Sequence, residues 1–220
     1  MLVLHYTGMP SAEGALDRLC DPRAAVSSHW LIEEDGTVWS LVDERRRAWH
    51  AGVSSWQGRR RLNDVSVGIE LVNPGHEWGY RPFPETQMQA CRTLCRAIMA
   101  RWRIAPERVL GHSDIAPARK TDPGELFDWA GLAAEGIGVW PDPVGHEDMP
   151  SLSVVQAGLA TYGYGVPSHG EDDRATREAV AAFQRHFRPA LVTGVVDIET
   201  WSVLAALLRM QDLPTGAPDA

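Results

Sequence analysis

The sequence is short of cysteine: Cys20, Cys91 and Cys95 are the only three in 220 residues. Three thiols cannot build the disulfide framework that stabilises small secreted domains, so that class of protein is excluded. Cys91 and Cys95 are four residues apart in a predicted helix and share one of its faces, where buried thiols are expected. A zinc site made of cysteines would need a second pair, which the sequence lacks.

The sequence also has no excess of positive charge. It contains 21 Lys and Arg residues against 29 Asp and Glu residues, a formal net charge of -8. Proteins that bind nucleic acid or anionic membranes mainly through electrostatics carry the opposite balance. Neither is therefore expected as the main partner.

Long apolar runs are missing as well. No segment reaches the length of about 20 apolar residues that a membrane-spanning helix needs, and the start of the sequence does not have the pattern of a signal peptide. As written, the protein is expected in the cytoplasm. The alternative is the periplasm or cell envelope, if a leader was removed.

What is present is the composition of an ordinary globular protein, with 44% hydrophobic and 23% charged residues. This is enough apolar material for a sizeable core and excludes wholesale disorder. Nine Trp residues stand against four Phe and four Tyr. Indole rings pack in cores and also stack on sugars, so exposed ones are candidates for sugar contact.

Residues 1–134 alternate between strand and helix patterns, which predicts an α/β fold with a mixed central sheet flanked by helices. The predicted strands are residues 2–5, 28–33, 37–42, 65–72 and 108–111, and the predicted helices are residues 11–20 and 84–102. Asp35-Gly36 between two of the strands predicts a hairpin, and Ser11 is the predicted N-cap of the first helix.

A second, smaller unit is predicted at the end of the chain. Residues 135–150 are rich in Gly and Pro and have the composition of a linker. Residues 151–210 contain three helical patterns, at 154–160, 174–187 and 200–208, which predict a small three-helix domain.

The most informative segment runs from Gly111 to Gly124. It places His112, Lys120 and Asp122 within eleven residues, in a stretch whose Pro and Gly content predicts a loop and no helix. His5 ends the first predicted strand, where it would meet residues of this loop at one edge of the sheet. Two imidazoles and one carboxylate can hold zinc and leave a position open for water. The pattern therefore indicates a metallohydrolase.

Glu70 stands in an otherwise apolar strand, where a carboxylate is costly unless it has a partner or a chemical role. Zinc hydrolysis needs a base, and Glu70 is a candidate. Structural interpretations stay open at this point: Glu70 would pair with one of Arg45–Arg47, Lys120 would be a solvated loop residue, and Asp114 competes with Asp122 as the carboxylate ligand.

Five motifs follow one another along residues 1–134: His5-Tyr6-Thr7, Ser28-His29-Trp30-Leu31-Ile32 with Asp35-Gly36, Ala48-Trp49-His50-Ala51-Gly52, Gly68-Ile69-Glu70-Leu71, and the segment from Gly111-His112-Ser113-Asp114 to Asp122-Pro123-Gly124. Together they resemble the type-2 N-acetylmuramoyl-L-alanine amidases, the zinc amidases related to phage amidase-lysozymes and animal peptidoglycan recognition proteins.

The resemblance implies a role for each residue of the constellation. His5, His112 and Asp122 would bind Zn²⁺, Glu70 would activate water, and Lys120 would stabilise the tetrahedral intermediate. The implied activity is hydrolysis of the amide bond between N-acetylmuramic acid and L-alanine in bacterial peptidoglycan or in muropeptides from its recycling.

Three further residues are candidate substrate contacts. His50 lies in a family motif without matching a ligand position, and Arg60 and Arg119 carry charges that suit the free carboxylates of a stem peptide. His29 also falls in a motif, and we expect it to support the site or the core by hydrogen bonding.

The end of the chain has a resemblance of its own. Residues 151–210 resemble peptidoglycan-binding domains of the three-helix type, through Tyr162-Gly163-Tyr164, Thr176-Arg177, Phe183-Gln184 and Gly194-Val195-Val196-Asp197. The Asp-Gly that precedes the Thr-Arg motif in that family is altered here, at His169-Gly170-Glu171-Asp172-Asp173. Wall binding and packing against the first domain are therefore both open.

The expected partner is thus peptidoglycan or a muropeptide, with no nucleic acid and no membrane span, and a monomer is consistent with the sequence. Two other functions stay open. One is a non-catalytic receptor for muropeptides or cell wall on the same fold, and the other is a zinc peptidase that cuts within the stem peptide.

Overall fold

The computed structural model describes residues 1–143, 145 and 148–212. Its centre is a five-stranded sheet made of β1 (Leu2–Tyr6), β2 (Trp30–Ile32), β3 (Val38–Ser40), β6 (Val67–Leu71) and β7 (Val109–Gly111). The order of the strands across the sheet is β3-β2-β6-β1-β7. A separate two-stranded ribbon, which the sequence did not predict, pairs β4 (Ser55–Trp56) with β5 (Arg59–Arg60).

Four of the five strands are parallel, and β3 pairs antiparallel with β2 at one edge. The predicted mixed sheet is confirmed, and so is the hairpin around Asp35-Gly36. β1 and β6 are short apolar runs because both of their faces are buried, which is usual for parallel strands covered on each side.

The two faces of the sheet are covered by different parts of the chain. Leu2 and Leu4 of β1 join the cluster formed with α3 (Glu85–Trp102), which lies within the helix predicted over residues 84–102. Val3 of β1 joins the cluster on the opposite face. Along their strands, His5 and Glu70 alternate with the residues that pack in the α3 cluster. Their side chains therefore lie on the face that α3 does not cover.

Shorter helices complete the first part of the chain. They are α1 (Ala12–Cys20), α2 (Gly75–Trp78), α4 (His112–Ile115) and α5 (Trp129–Ala134). The prediction for Ser11 is confirmed, because its side chain accepts a hydrogen bond from the Gly14 N–H at the start of α1. The prediction that the Gly111–Gly124 segment contains no helix was wrong for α4, a single turn that fits between β7 and the first proline.

Three helices form the end of the described chain: α6 (Leu152–Tyr162), α7 (Arg174–Phe187) and α8 (Ile198–Asp212). Their apolar residues do not form a separate core. They share one cluster with residues of the first part of the chain, namely Val3, Ala51, Trp56, Leu62, Leu110 and Ile115. The division into residues 1–134, a linker at 135–150 and residues 151–210 stays a prediction, and Val144, His146 and Glu147 of that linker lie outside the described residues.

Within the described ranges, no helix combines the length and the apolar composition that crossing a bilayer requires.

The buried position of Ile98 in α3 gives a test of this packing. Ile98 is fully buried in the cluster beneath the sheet, so Ile98→Ala should lower the free energy of unfolding by about 2–5 kcal/mol. Urea denaturation measures this. Val53→Ala, at a side chain that is 85% exposed, is the matched control and should change stability by less than about 0.5 kcal/mol. Equal losses for the two variants would contradict the placement of α3.

Candidate active site

The candidate site lies where three parallel strands end at the same edge of the sheet, a usual location for ligand sites in such sheets. His5 of β1 and Glu70 of β6 are paired neighbours in the strand register. Gly111 ends β7, next to β1, and His112 follows it directly. Strand pairing alone therefore brings residues 5, 70 and 112 together.

Asp122 joins the two histidines through the fold of its loop. The Ser113 N–H donates a hydrogen bond to the Asp122 carbonyl at 2.9 Å, which returns the chain to the start of α4. The two Nδ1 atoms of His5 and His112 are 2.9 Å apart. The Asp122 Oδ2 atom lies 3.1 Å from the first and 3.0 Å from the second. All three residues are buried, and their ligand atoms lie within 4.8 Å of one another, close enough to hold a metal ion together.

The hydrogen bond of His112 fixes which ring nitrogen carries its proton. Its Nε2 atom lies 3.2 Å from the Ala51 carbonyl oxygen, which can only accept. Nε2 therefore carries a proton, which leaves Nδ1, facing His5 and Asp122, as the nitrogen that can bind a metal ion.

A longer relay fixes the proton of His5 in the same way. The Ser66 hydroxyl donates to the Leu62 carbonyl at 2.6 Å and so accepts from His50 Nε2 at 3.2 Å. His50 Nδ1 is then an acceptor, and His5 Nε2 donates to it at 3.0 Å. The lone pair of His5 is thus on Nδ1 as well.

Two imidazole Nδ1 atoms and one carboxylate oxygen consequently face each other at hydrogen-bond distance. Burial and, to a smaller extent, the neighbouring His112 lower the pKa of His5 to about 4, although Asp122 acts in the opposite direction. Burial raises the pKa of Asp122, but the two histidines outweigh it and hold that pKa well below its usual range. Two imidazole nitrogens and one anionic carboxylate oxygen at this spacing fit a divalent metal ion with two nitrogen ligands and one oxygen ligand.

Glu70 and Lys120 lie beside this cluster and line the same cavity. Glu70 is 8% exposed, and its Oε2 atom has no hydrogen-bond partner among the described residues. Burial raises the pKa of Glu70 well above its usual value; Asp122 raises it further, while Lys120 lowers it. Lys120 has no ion-pair partner in the described part of the chain, which leaves its charge available to a ligand.

Residues of α1 and its surroundings line the same cavity. They are Met9, Ala15, Arg18, Leu19 and Val26. Arg18 is exposed and has no carboxylate partner in the ranges that the structure describes. The sequence analysis missed this residue, because a helical pattern does not reveal which loop a helix faces.

The three residues predicted to contact substrate lie in different settings. His50 touches the cavity but is buried behind His5, and both of its ring nitrogens have partners within the protein. The Arg119 guanidinium donates to the carbonyl oxygens of Ala51 and Val53, so it braces the 51–53 segment. Arg60 is exposed on the β4–β5 ribbon, and neither arginine is among the described residues that line the cavity with Glu70.

His29 supports the site from within the fold. Its Nε2 atom donates to the Arg46 carbonyl at 3.0 Å, and its Nδ1 atom accepts from the Gly68 N–H at 2.9 Å. Asp114 has a structural role in place of metal binding, because its carboxylate accepts a hydrogen bond from the Gly111 N–H at 2.7 Å.

The family profile described as N-acetylmuramoyl-L-alanine amidase matches residues 1–125, more than half of the chain. The chain belongs to the N-acetylmuramoyl-L-alanine amidase family. A second profile, described as a putative peptidoglycan binding domain, matches residues 148–204.

Individual members of the amidase family are similar over nearly the whole chain. The amidase AmiD of Escherichia coli K12 is 41% identical over 231 aligned positions, which cover 95% of this chain and 82% of AmiD. The structure of E. coli AmiD with its substrate anhydro-N-acetylmuramic acid-L-Ala-D-gamma-Glu-L-Lys has a TM-score of 0.82, at 40% identity, with 96% of this chain and 88% of that chain covered. AmpDh3 from Pseudomonas aeruginosa gives a TM-score of 0.89 at 34% identity, with coverages of 96% and 92%.

Gly68 tests whether the His50 relay supports metal binding in this family member. A Cβ atom at Gly68 would lie 2.5 Å from the His50 ring, so Gly68→Ala must displace the ring that holds His5. We expect Zn²⁺ affinity to fall by about 10- to 100-fold, measured by competition with a chelator.

Gly145→Ala is the matched control, because a Cβ atom there meets nothing within 4 Å. Unchanged affinity in Gly68→Ala would mean that the position of His50 does not matter to the metal site.

Proposed function

We propose that this chain is a zinc-dependent hydrolase of the amide bond between N-acetylmuramic acid and L-alanine in muropeptides. The observation that carries the proposal is the meeting of His5, His112 and Asp122 at one point, with Glu70 and Lys120 on the same cavity. Membership of the amidase family supports it, as does the relative whose structure contains an anhydro-muropeptide substrate.

In this proposal the metal ligands are the Nδ1 atoms of His5 and His112 and a carboxylate oxygen of Asp122. This donor set is typical of catalytic zinc sites with three protein ligands. A zinc ion held there would supply Lewis acidity for the scissile carbonyl and lower the pKa of a water molecule.

Glu70 is the proposed general base. Its side chain lines the cavity and its Oε2 atom is unpaired among the described residues, and its raised pKa makes the carboxylate a better proton acceptor than an exposed glutamate. It takes a proton from the attacking water as the new C–O bond forms. It then returns that proton to the leaving amine nitrogen of L-alanine as the C–N bond breaks, so the carboxylate is regenerated.

Lys120 is the proposed partner of the oxyanion. It lines the cavity with Glu70 and has no competing carboxylate partner among the described residues. A cation in a partly buried cavity stabilises the negative charge that develops on the carbonyl oxygen during attack. Arg18, which also lines the cavity, is the proposed cation for a carboxylate of the stem peptide.

One question within this proposal is whether the substrate is the polymeric wall or a soluble muropeptide. The second family profile favours the polymeric wall as a substrate, while a cytoplasmic location, which stays a prediction, favours a soluble muropeptide. Comparing turnover of intact sacculi with turnover of a purified anhydro-muropeptide distinguishes them.

The bond that is cut can be identified by mass spectrometry of muropeptide digests. We expect intact sugar and a complete free stem peptide, because the proposed cleavage falls between the two. Treatment with a chelator should abolish the products, and added Zn²⁺ should restore them. Shortened stems would favour the peptidase alternative, and binding without any product would favour the non-catalytic receptor.

Glu70→Gln tests the assignment of the base. The amide keeps the shape of the side chain but cannot accept the proton, so kcat should fall by at least about 10²-fold while Zn²⁺ affinity stays within a few-fold of the parent. Glu77→Gln, an exposed glutamate of α2, should leave both quantities unchanged. A Glu70→Gln variant with parental kcat would show that another group takes the proton.

A further inference from the structure

Helix α7 contacts both ends of the loop that carries two of the proposed metal ligands. We call residues 111–125, from the end of β7 to Glu125, the ligand loop. Two adjacent residues of α7, Arg185 and His186, face opposite ends of it. His186 contacts Asp114, two residues after His112, and Arg185 lies near Glu125, three residues after Asp122.

The contact at Asp114 is a buried hydrogen-bond junction. The Asp114 Oδ2 atom accepts from the Gly111 N–H and from His186 Nδ1, both at 2.7 Å. Its Oδ1 atom accepts from the Tyr164 hydroxyl at 2.6 Å. Asp114 and His186 are almost completely buried. One carboxylate therefore joins the backbone just before His112 to two side chains from the end of the chain.

A series of polar contacts connects Glu125 to Thr121, the residue next to the proposed ligand Asp122. The Arg185 Nε atom is 3.9 Å from Glu125, whose carboxylate lies 3.2 Å from His76 Nε2. His76 Nδ1 and Tyr6 Oη are 3.0 Å apart, and Tyr6 Oη lies 2.9 Å from Thr121, the neighbour of Asp122.

Close packing holds the helices against the first part of the chain at the same place. The Trp129 ring stacks on His186 with centroids 3.8 Å apart.

A second contact lies at Tyr164. Trp56 packs edge-on against Tyr164, and the Gln57 N–H donates to the Gly163 carbonyl at 2.9 Å. A Cβ atom at Gly163 would lie 2.5 Å from the Trp56 ring. Such an interface fixes the position of Tyr164 and His186 relative to Asp114.

We propose that Tyr164 and His186 are positioning residues for the metal site. Their hydrogen bonds fix the Asp114 carboxylate, which in turn accepts from the Gly111 N–H. The backbone that is fixed in this way sets the direction of the His112 side chain. In this proposal the last three helices are part of the hydrolytic unit and do not act only as a wall-binding attachment. The inference rests on the proposed metal site at His5, His112 and Asp122.

The chain offers a matched pair of variants for the test. Tyr164→Phe removes the hydroxyl that reaches Asp114. Tyr162→Phe removes a hydroxyl two residues away, from an equally buried ring that makes no hydrogen bond within the described residues. Both are made in the full chain, and Zn²⁺ alone is the probe, with its dissociation constant measured by chelator competition. We expect about 10-fold weaker binding for Tyr164→Phe and parental binding for Tyr162→Phe.

A second pair tests His186 by rescue. His186→Leu removes the donor to Asp114, whereas the side-chain N–H of His186→Asn takes nearly the place of the imidazole Nδ1–H. We expect His186→Leu to weaken Zn²⁺ binding by about 10- to 100-fold and His186→Asn to restore most of it. Thermal unfolding of each metal-free variant reports stability separately.

The outcomes are distinct from those that test the proposed reaction. If Tyr164→Phe and His186→Leu bind Zn²⁺ like the parent while melting at a lower temperature, the contacts are only structural and the inference is wrong. It is equally wrong if Tyr162→Phe loses as much affinity as Tyr164→Phe. A parent chain that binds Zn²⁺ but cleaves no muropeptide would contradict the proposed reaction and leave the comparison of dissociation constants intact.

Discussion

Parallel pairing of β1 with both β6 and β7 is the constraint on which the rest of this structure depends. It puts His5 next to Glu70 in register and brings the start of the ligand loop to the same edge. Parallel strands need buried faces on both sides, and here α3 covers one face while the last three helices complete the other. The site lies at the strand ends on this second face, where residues of α1 and its surroundings line the cavity.

Buried hydrogen bonds then determine what these side chains can do. A histidine on a strand end is chemically ambiguous until its second nitrogen has a partner. The Ala51 carbonyl provides that partner for His112, and the Ser66–His50 relay provides it for His5. Both rings therefore present Nδ1 to Asp122. Glu70, in contrast, is buried with one oxygen unpaired, which is costly in a core and useful beside a substrate.

Local patterns predicted the mixed sheet, the hairpin and α3, because apolar periodicity and turn residues act over a few positions. The clustering of His5, His112 and Asp122 also followed from motifs, since strand ends and a short loop bring them together. The partners of Asp114 were not predictable, because Tyr164 and His186 lie 50 and 72 residues further along the chain. Arg18 was not predictable either, because its approach to the cavity depends on how α1 packs. The single turn of α4 was missed because the Pro and Gly content of its segment indicates a loop, whereas the folded-back chain forms one helical turn there.

The shared cluster of apolar residues has a consequence for how the chain is divided. One family profile ends at residue 125 and the second begins at residue 148, and the Gly- and Pro-rich segment 135–150 lies across the start of the second. Yet Trp56, Leu110 and Ile115 pack in one core with residues of α6, α7 and α8. Removing the part of the chain after this segment would expose Trp56 and the face of the sheet that carries Val3 and Leu110 to water. The two profiles divide the sequence, but the shared core gives the two parts no physical reason to unfold in separate transitions.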